Sequence, residues 1–209
     1  MTGKLQLEVI LLAAGQSRRM GTKNKLLITV DGEPLVRRSA QLYRRFTDKV
    51  FVVLGYEADQ VRAALDGVAV RCIENAAYAD GQKSSVQCGF TNVSGAGDAI
   101  IVALADQPLL SSEDLDGLIT AFAESDRQRI MIPFCGDARG NPILIPSAFL
   151  KSLKDDVQDL ACRKFIAANP HLTRRYDAPN DHFTTDLDTP DDARRMGIVV
   201  EDSLQLQTT

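Results

Sequence analysis

The sequence lacks the residue patterns that mark metal-stapled and disulfide-rich proteins. Its four cysteines include no C-x-x-C pair, and its two histidines, His171 and His182, are far apart in the chain. A structural zinc site is therefore not expected. We expect the cysteines to be free thiols in a reducing cytoplasm, each a small buried hydrophobe. They are Cys72, Cys88, Cys135 and Cys162.

Excess positive charge and long hydrophobic runs are also missing. The net charge is −4 and the pI is near 5.2, which argues against a non-specific nucleic-acid binder. The apolar run at residues 9–14 is too short to cross a membrane, and no signal-peptide cleavage pattern follows it. We expect neither nucleic acid nor a membrane among the partners, and any anion-binding site must be a local patch of charge.

The apolar content of the chain is that of a single domain. With 209 residues, of which 44% are hydrophobic and 25% charged, the core needs no disulfide or metal staple. In the first half, apolar runs alternate with helical patterns, which predicts a three-layer α/β/α, Rossmann-like fold with a mostly parallel sheet. The predicted strands are residues 5–14, 50–54, 68–73 and 99–105, and the predicted helices are 34–46, 58–65 and a third that begins in the turn at 81–89.

The second half of the chain is less regular. Ser111 and Asp114 resemble a capping box in front of a helix predicted over residues 112–123. The last helix begins at Thr189, with Pro190 and two acids in its first turn. The paired strands and long loops predict an insertion or an antiparallel edge. Strands are predicted at 130–133, 142–145 and 183–187, a loop at 136–140, and a further helix at 157–168.

The abrupt end of the first strand is the first candidate site. Residues 9–14 are apolar, Gly15 breaks the run, and Arg19 and Lys25 follow with positive charge. Small residues let a backbone approach a phosphate, and free N–H groups then point at it. The stretch is neither a G-x-x-x-x-G-K-[ST] loop nor a G-x-G-x-x-G fingerprint. The residues alone leave two interpretations open, a phosphate-binding turn and a turn with surface arginines.

Carboxylates near the ends of predicted strands are the second candidate. Asp106 follows a buried strand, at the edge where open α/β sheets bind ligands. Asp186 and Asp188 are two positions apart, so they face the same way in an extended chain. Magnesium binds one or two such carboxylates together with phosphate oxygens and water. The alternatives are that Asp106 caps a turn before Pro108, and that Asp188 or Thr189 caps the last helix.

Two further groups are candidates for contact with substrates. Gly81, Ser84 and Ser85 begin a helix, where their hydroxyls and N–H groups either contact a base or phosphate or simply cap the helix. The second group consists of Arg139, Asn141, Asp159 and Arg163. Either these residues line a pocket for a polar second substrate, or Asp159 and Arg163 simply form an exposed i,i+4 salt bridge.

The order and spacing of these segments resemble a known family. L-A-A-G-x-S-x-R-M-G at residues 12–21, followed by Lys25, resembles the signature loop of nucleotidyltransferases with the nucleotide-diphospho-sugar transferase fold. The segments at 104–108, 139–142 and 186–190 resemble the L-A-D-x-P, R-G-[NH]-P and D-x-D-T-P segments of the molybdenum cofactor nucleotidyltransferases. Ala13 and Ala14 stand where the guanylyl branch usually has two glycines, which resembles the cytidylyl branch.

This resemblance implies a role for each candidate residue. The implied catalytic residues are Arg19, Lys25 and Asp106. The implied magnesium ligands are Asp106, Asp186 and Asp188. The nucleotide is bound in residues 1–110 and the acceptor in residues 111–200 of one domain. The nucleotide-binding residues are Leu12, Ala13, Ala14, Gly15, Ser17, Arg19, Lys25, Gly81, Ser84, Ser85 and Asp106. The acceptor-binding residues are Arg139, Asn141, Asp159 and Arg163. Departures from the family pattern, all in regions expected to contact substrate, are Lys83, Gln158, Ala161 and Cys162.

The implied function is the magnesium-dependent transfer of CMP from CTP to the terminal phosphate of the molybdopterin cofactor, with release of pyrophosphate. A recipient molybdoenzyme is then a further partner. Two alternatives keep the same residues: GTP as donor or another small phosphate as acceptor, and a protein that binds nucleotide and delivers cofactor without turnover. A third alternative is an oxidoreductase on the same scaffold, which no dinucleotide fingerprint supports.

Overall fold

A mostly parallel sheet forms the centre of the protein. The computed structural model describes residues 5–17, 20, 24–155 and 166–198. The main sheet has the strand order β10-β7-β9-β6-β1-β4-β5, with β8 paired to β7 alone. Its strands are β1 (Leu7–Ala13), β4 (Val50–Leu54), β5 (Arg71–Glu74), β6 (Ala99–Leu104), β7 (Ile130–Cys135), β8 (Ala138–Arg139), β9 (Ile143–Pro146) and β10 (Thr173–Asp177). Two short strands, β2 (Thr29–Val30) and β3 (Glu33–Pro34), form a separate antiparallel ribbon.

One strand of the central path runs against its neighbours. β9 pairs antiparallel with β6 and with β7, while the β1–β4, β1–β6, β4–β5 and β7–β10 pairs are parallel. The reversed strand therefore lies inside the sheet and not at its edge.

Helices cover both faces of the sheet and divide the core in two. Alternate residues of β1 point to opposite faces, because side chains alternate along a strand: Leu11 enters one core cluster and Ile10 the other. The first face is covered by α1 (Leu35–Arg44), α2 (Ala58–Ala64) and α4 (Ser112–Ala123). The second is covered by α3 (Gln82–Asn92) and α5 (Leu150–Asp155). The last described helix is α6 (Pro190–Arg195). The predicted three-layer fold is confirmed.

Local signals in the sequence fix several element boundaries. The strand predicted at 50–54 and the helix predicted at 112–123 have those bounds in the structure. Both predicted helix starts are confirmed as capping boxes: Ser111 pairs with Asp114, and Thr189 pairs with Asp192. Reciprocal capping of this kind satisfies backbone donors at the helix start. No helix in the described ranges is long and apolar enough to cross a membrane.

Other elements differ from the sequence prediction. The strand predicted at 183–187 is wrong: the chain forms a 3-10 turn at His182–Thr184 and then continues without strand pairing. The turn forms because the carbonyl of Asp181 accepts the N–H of Thr184 and the hydroxyls of Thr184 and Thr185. β10, the edge strand, was not predicted. Of the helix predicted at 157–168, only residues 166–168 are described, and they are helical.

Three cysteines lie in the described part of the chain, and all three are free thiols. Cys72, Cys88 and Cys135 are each partly buried and unbridged. Burial raises the pKa of the Cys72 and Cys88 thiols. Cys162 lies outside the described residues.

Candidate functional site

The carboxyl ends of β1 and β6 open into a cavity of about 620 Å³. Its walls come from the loop after β1, the start of α3, the segment after β6, the β8–β9 turn and the residues before α6. Of the residues singled out in the sequence, those lining this cavity are Leu12, Ala14, Gly15, Ser17, Lys25, Gly81, Lys83, Ser85, Asp106, Arg139, Asn141, Asp186 and Asp188. Parallel strands deliver the loops that follow them to one edge, which is why residues so distant in sequence meet here.

Two of the singled-out residues lie off the cavity wall. Ala13 is 1% exposed and packs into the core cluster on the first face of the sheet. Ser84 is held inside its own turn and does not line the cavity. Arg19, Asp159 and Arg163 lie outside the described residues.

The loop after β1 is held in place by backbone contacts and close packing. Tyr56 N–H donates to the carbonyl of Ala14 at 3.3 Å. A Cβ on Gly55 would lie 2.5 Å from Tyr78 Cβ and 2.7 Å from Ala14 Cβ, so only glycine fits between them. By contrast, a Cβ on Gly15 would have nothing within 4 Å. The space beside Gly15 is therefore free for a ligand.

Ser17 fastens the far side of this loop. Its φ of +49° is left-handed, a conformation that costs energy for a residue other than glycine. Its hydroxyl accepts the Lys25 N–H at 3.1 Å, and its carbonyl accepts the Met20 N–H at 2.8 Å. Ser17 thereby sets the position of the segment that carries Lys25.

Lys25 joins the carboxylates of two distant segments. Its Nζ lies 2.5 Å from Asp106 Oδ2 and 2.8 Å from Asp188 Oδ1. Burial alone would lower the pKa of Lys25, but Asp106 and Asp188 outweigh that effect and hold the pKa above its usual value. Lys25 is therefore a fixed positive charge in the floor of the cavity.

Asp186 completes an acidic cluster around this lysine. Burial, followed by the nearby charges of Asp106 and Asp188, raises the pKa of Asp186 to about 6. Oδ1 of Asp186 and Oδ1 of Asp106 are both buried and have no hydrogen-bond partner in the described structure. Buried oxygens of this kind are normally satisfied by a donor, water or an ion. Three carboxylates against one ammonium leave the cluster with an excess of negative charge.

The segment that carries Asp186 and Asp188 is fixed to the sheet through its backbone. Leu187 N–H donates to the carbonyl of Asp106 at 2.8 Å. The carbonyl of Phe183 accepts both Gln107 Nε2 and the Asn141 N–H, each at 2.8 Å. Phe183 itself is fully buried. These contacts occupy backbone groups that a strand would need for ladder pairing, so the segment is positioned without being a strand.

The start of α3 forms another part of the cavity wall. Gly81 has a φ of +92°, which turns the chain into the helix. Ser85 is 4% exposed and lines the cavity. Sequence reasoning missed the residue that holds this turn, Asn75, whose amide donates to both Ser84 and Ser85. The sequence signal for it was an amide residue two positions after the strand predicted at 68–73.

A family model described as a MobA-like NTP transferase domain matches residues 9–174. The chain belongs to this family. A curated relative, the bifunctional protein GlmU of Nitratidesulfovibrio vulgaris, is 34% identical over 120 residues, which cover 56% of this chain and 26% of GlmU. The match thus spans about a quarter of that relative. Nicotine blue oxidoreductase of Paenarthrobacter nicotinovorans is 28% identical over 175 residues, covering 78% of this chain and 82% of that protein.

Solved structures share the same fold. Rv0371c of Mycobacterium tuberculosis has a TM-score of 0.75 at 24% identity, covering 92% of this chain and 98% of that one. Its complex with manganese has a TM-score of 0.69 at 25% identity, with coverages of 91% and 97%. Molybdopterin-guanine dinucleotide biosynthesis protein A of Archaeoglobus fulgidus has a TM-score of 0.63 at 18% identity, with coverages of 90% and 95%.

Proposed function

We propose that this member of the MobA-like family transfers CMP from CTP to the terminal phosphate of the molybdopterin cofactor, releasing pyrophosphate. One observation carries the proposal: the small-residue loop after β1 and an acidic cluster with a central lysine line the same cavity. The loop suits a triphosphate, and the cluster suits the cation that a triphosphate brings with it. Molybdopterin as acceptor rests on sequence resemblance and on the A. fulgidus neighbour, which shares the fold.

The nucleotide half of the site is built from backbone and small side chains. Leu12, Ala14 and Gly15 line the cavity, and the small side chain of Ala14 and the lack of one at Gly15 let the backbone lie close to a base and its phosphates. Ala13 and Ala14 support CTP over GTP, since the guanylyl branch usually has glycines there. Lys25 contributes the positive charge that offsets the phosphates, and Arg19 is assigned the same task by resemblance.

The acidic cluster fits a divalent cation. The unpartnered Oδ1 atoms of Asp106 and Asp186 and the nearby Asp188 are oxygen donors of the kind that magnesium binds. Within the described ranges, no three His, Cys, Asp or Glu side chains enclose a metal position by themselves. A metal held here would therefore take its remaining ligands from phosphate oxygens and water. Bound magnesium would supply Lewis-acid charge neutralisation and orientation of the phosphates.

The reaction then needs positioning more than proton transfer. An oxygen of the ionised acceptor phosphate forms a bond to the α-phosphorus of CTP. The bond from that phosphorus to the β-phosphate bridging oxygen breaks, and the electron pair leaves with pyrophosphate. No strong general base is required, because the attacking oxygen is already deprotonated. Lys25 neutralises charge on the departing phosphates in a partly buried site, where such an interaction is stronger than in water.

The acceptor half of the site lies at the β8–β9 turn. Arg139 and Asn141 of this turn line the cavity. A guanidinium is well suited to a phosphate because its N–H groups match phosphate oxygens in pairs. Asp159 and Arg163 are assigned to the acceptor by resemblance alone. Transfer of the product to a recipient molybdoenzyme is part of the same proposal.

The test is a turnover assay with defined substrates. The protein is incubated with magnesium, molybdopterin cofactor and either CTP or GTP, and pyrophosphate release is measured. We expect release with CTP, and we expect Asp106→Asn to lower it by about 100-fold or more while the protein still unfolds cooperatively. Asp116→Asn is the matched control, because Asp116 is an exposed carboxylate on α4 outside the cavity. Absence of release with either nucleotide, with a verified acceptor, would contradict the proposal.

A second candidate function is favoured by one comparison. Nicotine blue oxidoreductase resembles this chain over most of both proteins, so an oxidoreductase activity is the alternative. The purified protein then carries or binds a flavin or a nicotinamide cofactor, which its absorbance spectrum and titration would reveal. Consumption of a reduced nicotinamide cofactor, with no pyrophosphate release, would favour this candidate over the first.

A further inference from the structure

Asn75 lies behind the start of α3, and every polar atom of its side chain is engaged. The residue is 6% exposed. Its Nδ2 donates to Ser84 Oγ at 2.9 Å and to Ser85 Oγ at 3.1 Å, and its Oδ1 accepts the Ala77 N–H at 3.0 Å. Its backbone N–H donates to the carbonyl of Leu54 at 2.9 Å. The side chain is thus held from three directions at the end of β5.

These contacts fix which way the amide faces. The Ala77 N–H can only donate, so the atom of Asn75 that faces it must be the oxygen. Rotating the amide by half a turn would place two donors against each other at Ala77. The nitrogen must therefore face the two serines, and an amide nitrogen can only donate. Ser85 Oγ is left as the acceptor in its contact with Asn75.

The hydroxyl hydrogen of Ser85 is consequently available to the cavity. Among the residues that the structure describes, none accepts a hydrogen bond from Ser85. Ser84 differs, because its Oγ lies 2.7 Å from the carbonyl of Ala77 and 2.9 Å from that of Gly81, so its hydrogen is used within the turn. Two adjacent serines contact the same amide, but only Ser85 presents a donor to the cavity.

We propose that Asn75 is a positioning residue that directs the hydroxyl hydrogen of Ser85 toward the nucleotide base. This inference rests on the proposed function and deepens it. A fixed donor selects a base that offers an acceptor at that point, as cytosine does with its ring nitrogen N3. Uracil carries a hydrogen on the same nitrogen, so it would leave the Ser85 hydrogen without an acceptor at that point. Asn75 therefore contributes to selecting CTP over UTP without touching either.

The test compares the two pyrimidine nucleotides, because their identical triphosphates cancel any general change in charge. CTP and UTP are titrated calorimetrically with magnesium and without acceptor, and kcat and KM are measured where turnover is found. We expect the unaltered protein to prefer CTP. Ser85→Ala and Asn75→Ala should each raise the Kd or KM for CTP by about tenfold, the size of one hydrogen bond, with a smaller change in kcat. Because both variants disrupt the same contact between Ser85 and the base, the double variant should bind CTP no more weakly than either single variant.

Asn75→Asp gives the most discriminating result. A carboxylate can only accept, so Ser85 would donate to it and turn a lone pair toward the base. The ratio of CTP to UTP affinity should then fall by about tenfold or more and fall further than in Asn75→Ala. Asn92→Ala is the matched control, because that amide caps a carbonyl at the other end of α3 and should leave the ratio unchanged.

Two results would overturn the inference. The first is equal affinity of the unaltered protein for CTP and UTP. The second is an unchanged CTP to UTP ratio in both Asn75→Asp and Ser85→Ala, measured on protein whose thermal unfolding stays cooperative. Failure of the proposed function is separate: CTP would then bind with the predicted selectivity but give no pyrophosphate with a verified acceptor.

Discussion

Lys25 Nζ and Asp106 Oδ2 are 2.5 Å apart, although the two residues are 81 positions apart in the chain. The side chains are 11% and 18% exposed, so water screens the pair only in part. Removing one member of such a pair leaves the other charge poorly solvated. Lys25 therefore stabilises the folded site as well as the phosphates it is proposed to bind.

Lys25→Met keeps most of the apolar stem of the side chain and removes its charge. We expect pyrophosphate release to fall by about 100-fold and the free energy of unfolding to fall by about 1–3 kcal/mol, less than for a fully buried pair. The measurements are the turnover assay and urea unfolding. Lys49→Met, at an exposed position before β4, is the control and should change neither. Full activity in Lys25→Met would remove Lys25 from the proposed mechanism.

Gly140→Ala should damage the site through the backbone. A Cβ at Gly140 would lie 2.5 Å from the carbonyl oxygen of Phe183, which cannot move without pulling the segment that carries Asp186 and Asp188. We expect a loss of about 1–3 kcal/mol in unfolding free energy together with reduced turnover. Gly15→Ala is the contrasting variant, since it has free space in the protein alone. It should unfold normally and bind CTP weakly, and normal CTP binding would place the phosphates elsewhere.

Tyr43→Phe should not destabilise the protein. The Tyr43 hydroxyl is buried in the core with no partner among the described residues, and burial raises the pKa of the phenol far above its usual value. An unsatisfied buried hydroxyl costs about 1–3 kcal/mol, so its removal should leave the unfolding free energy equal or higher by up to about that amount. Urea unfolding measures this. A clear loss of stability would show that the hydroxyl has a partner.

Asp114 is expected to make the stability of the protein depend on pH in the acid range. It also binds Asn180 and His182, which precede the segment that carries Asp186 and Asp188. Burial alone would raise its pKa, but hydrogen bonds from Asn180, His182 and Ser111 outweigh burial and hold the pKa below its usual value. A carboxyl with a lowered folded pKa stabilises the protein above its unfolded pKa of about 3.9, and that stabilisation is lost as the pH falls toward the folded pKa.

Asp114→Asn is therefore expected to lower the free energy of unfolding at pH 6. Below about pH 4, the variant should lose less of its unfolding free energy than the unaltered protein does. Urea unfolding from pH 3 to pH 6 would show the two curves converging at low pH. Asp116→Asn, two positions along the same helix and exposed, should run parallel to the unaltered protein. Parallel curves for Asp114→Asn would mean that Asp114 is not the group responsible.

The sequence predicted those parts of the fold that depend on local pattern. Continuous apolar runs identified buried strands such as Val50–Leu54, and capping residues fixed the starts of α4 and α6. β10 was missed because its residues are half-buried or exposed, so it shows no apolar alternation. The segment at 183–187 has strand-forming residues, but its backbone groups bond to Gln107, Asn141 and Asp106 instead. Hydrogen bonds to residues distant in the chain cannot be predicted from a local sequence pattern.

The candidate site likewise contains residues that the sequence identifies and residues that it does not. Asp106, Asp186 and Asp188 were singled out because carboxylates near strand ends are visible in sequence, and all three line the cavity. Asn75 could not be singled out from the sequence. Its role depends on contacts of its amide with the Ala77 N–H and with the hydroxyls of Ser84 and Ser85 on α3. Lys25 was expected to bind phosphate, but its contacts with two carboxylates depend on a fold in which three separate segments converge.

The reversed direction of β9 determines which turn lies at the ligand-binding edge of the sheet. A parallel strand brings only the loop that follows it to the ligand-binding edge, whereas β9 starts at that edge, with Ile143 opposite Val102 near the end of β6. The turn that precedes β9 therefore reaches that edge directly. Its Gly140 packs against the carbonyl of Phe183, and its Asn141 N–H donates to the same carbonyl. A change in the length of this turn is therefore expected to move the segment that carries Asp186 and Asp188, so recognition of the acceptor and placement of the acidic cluster must change together.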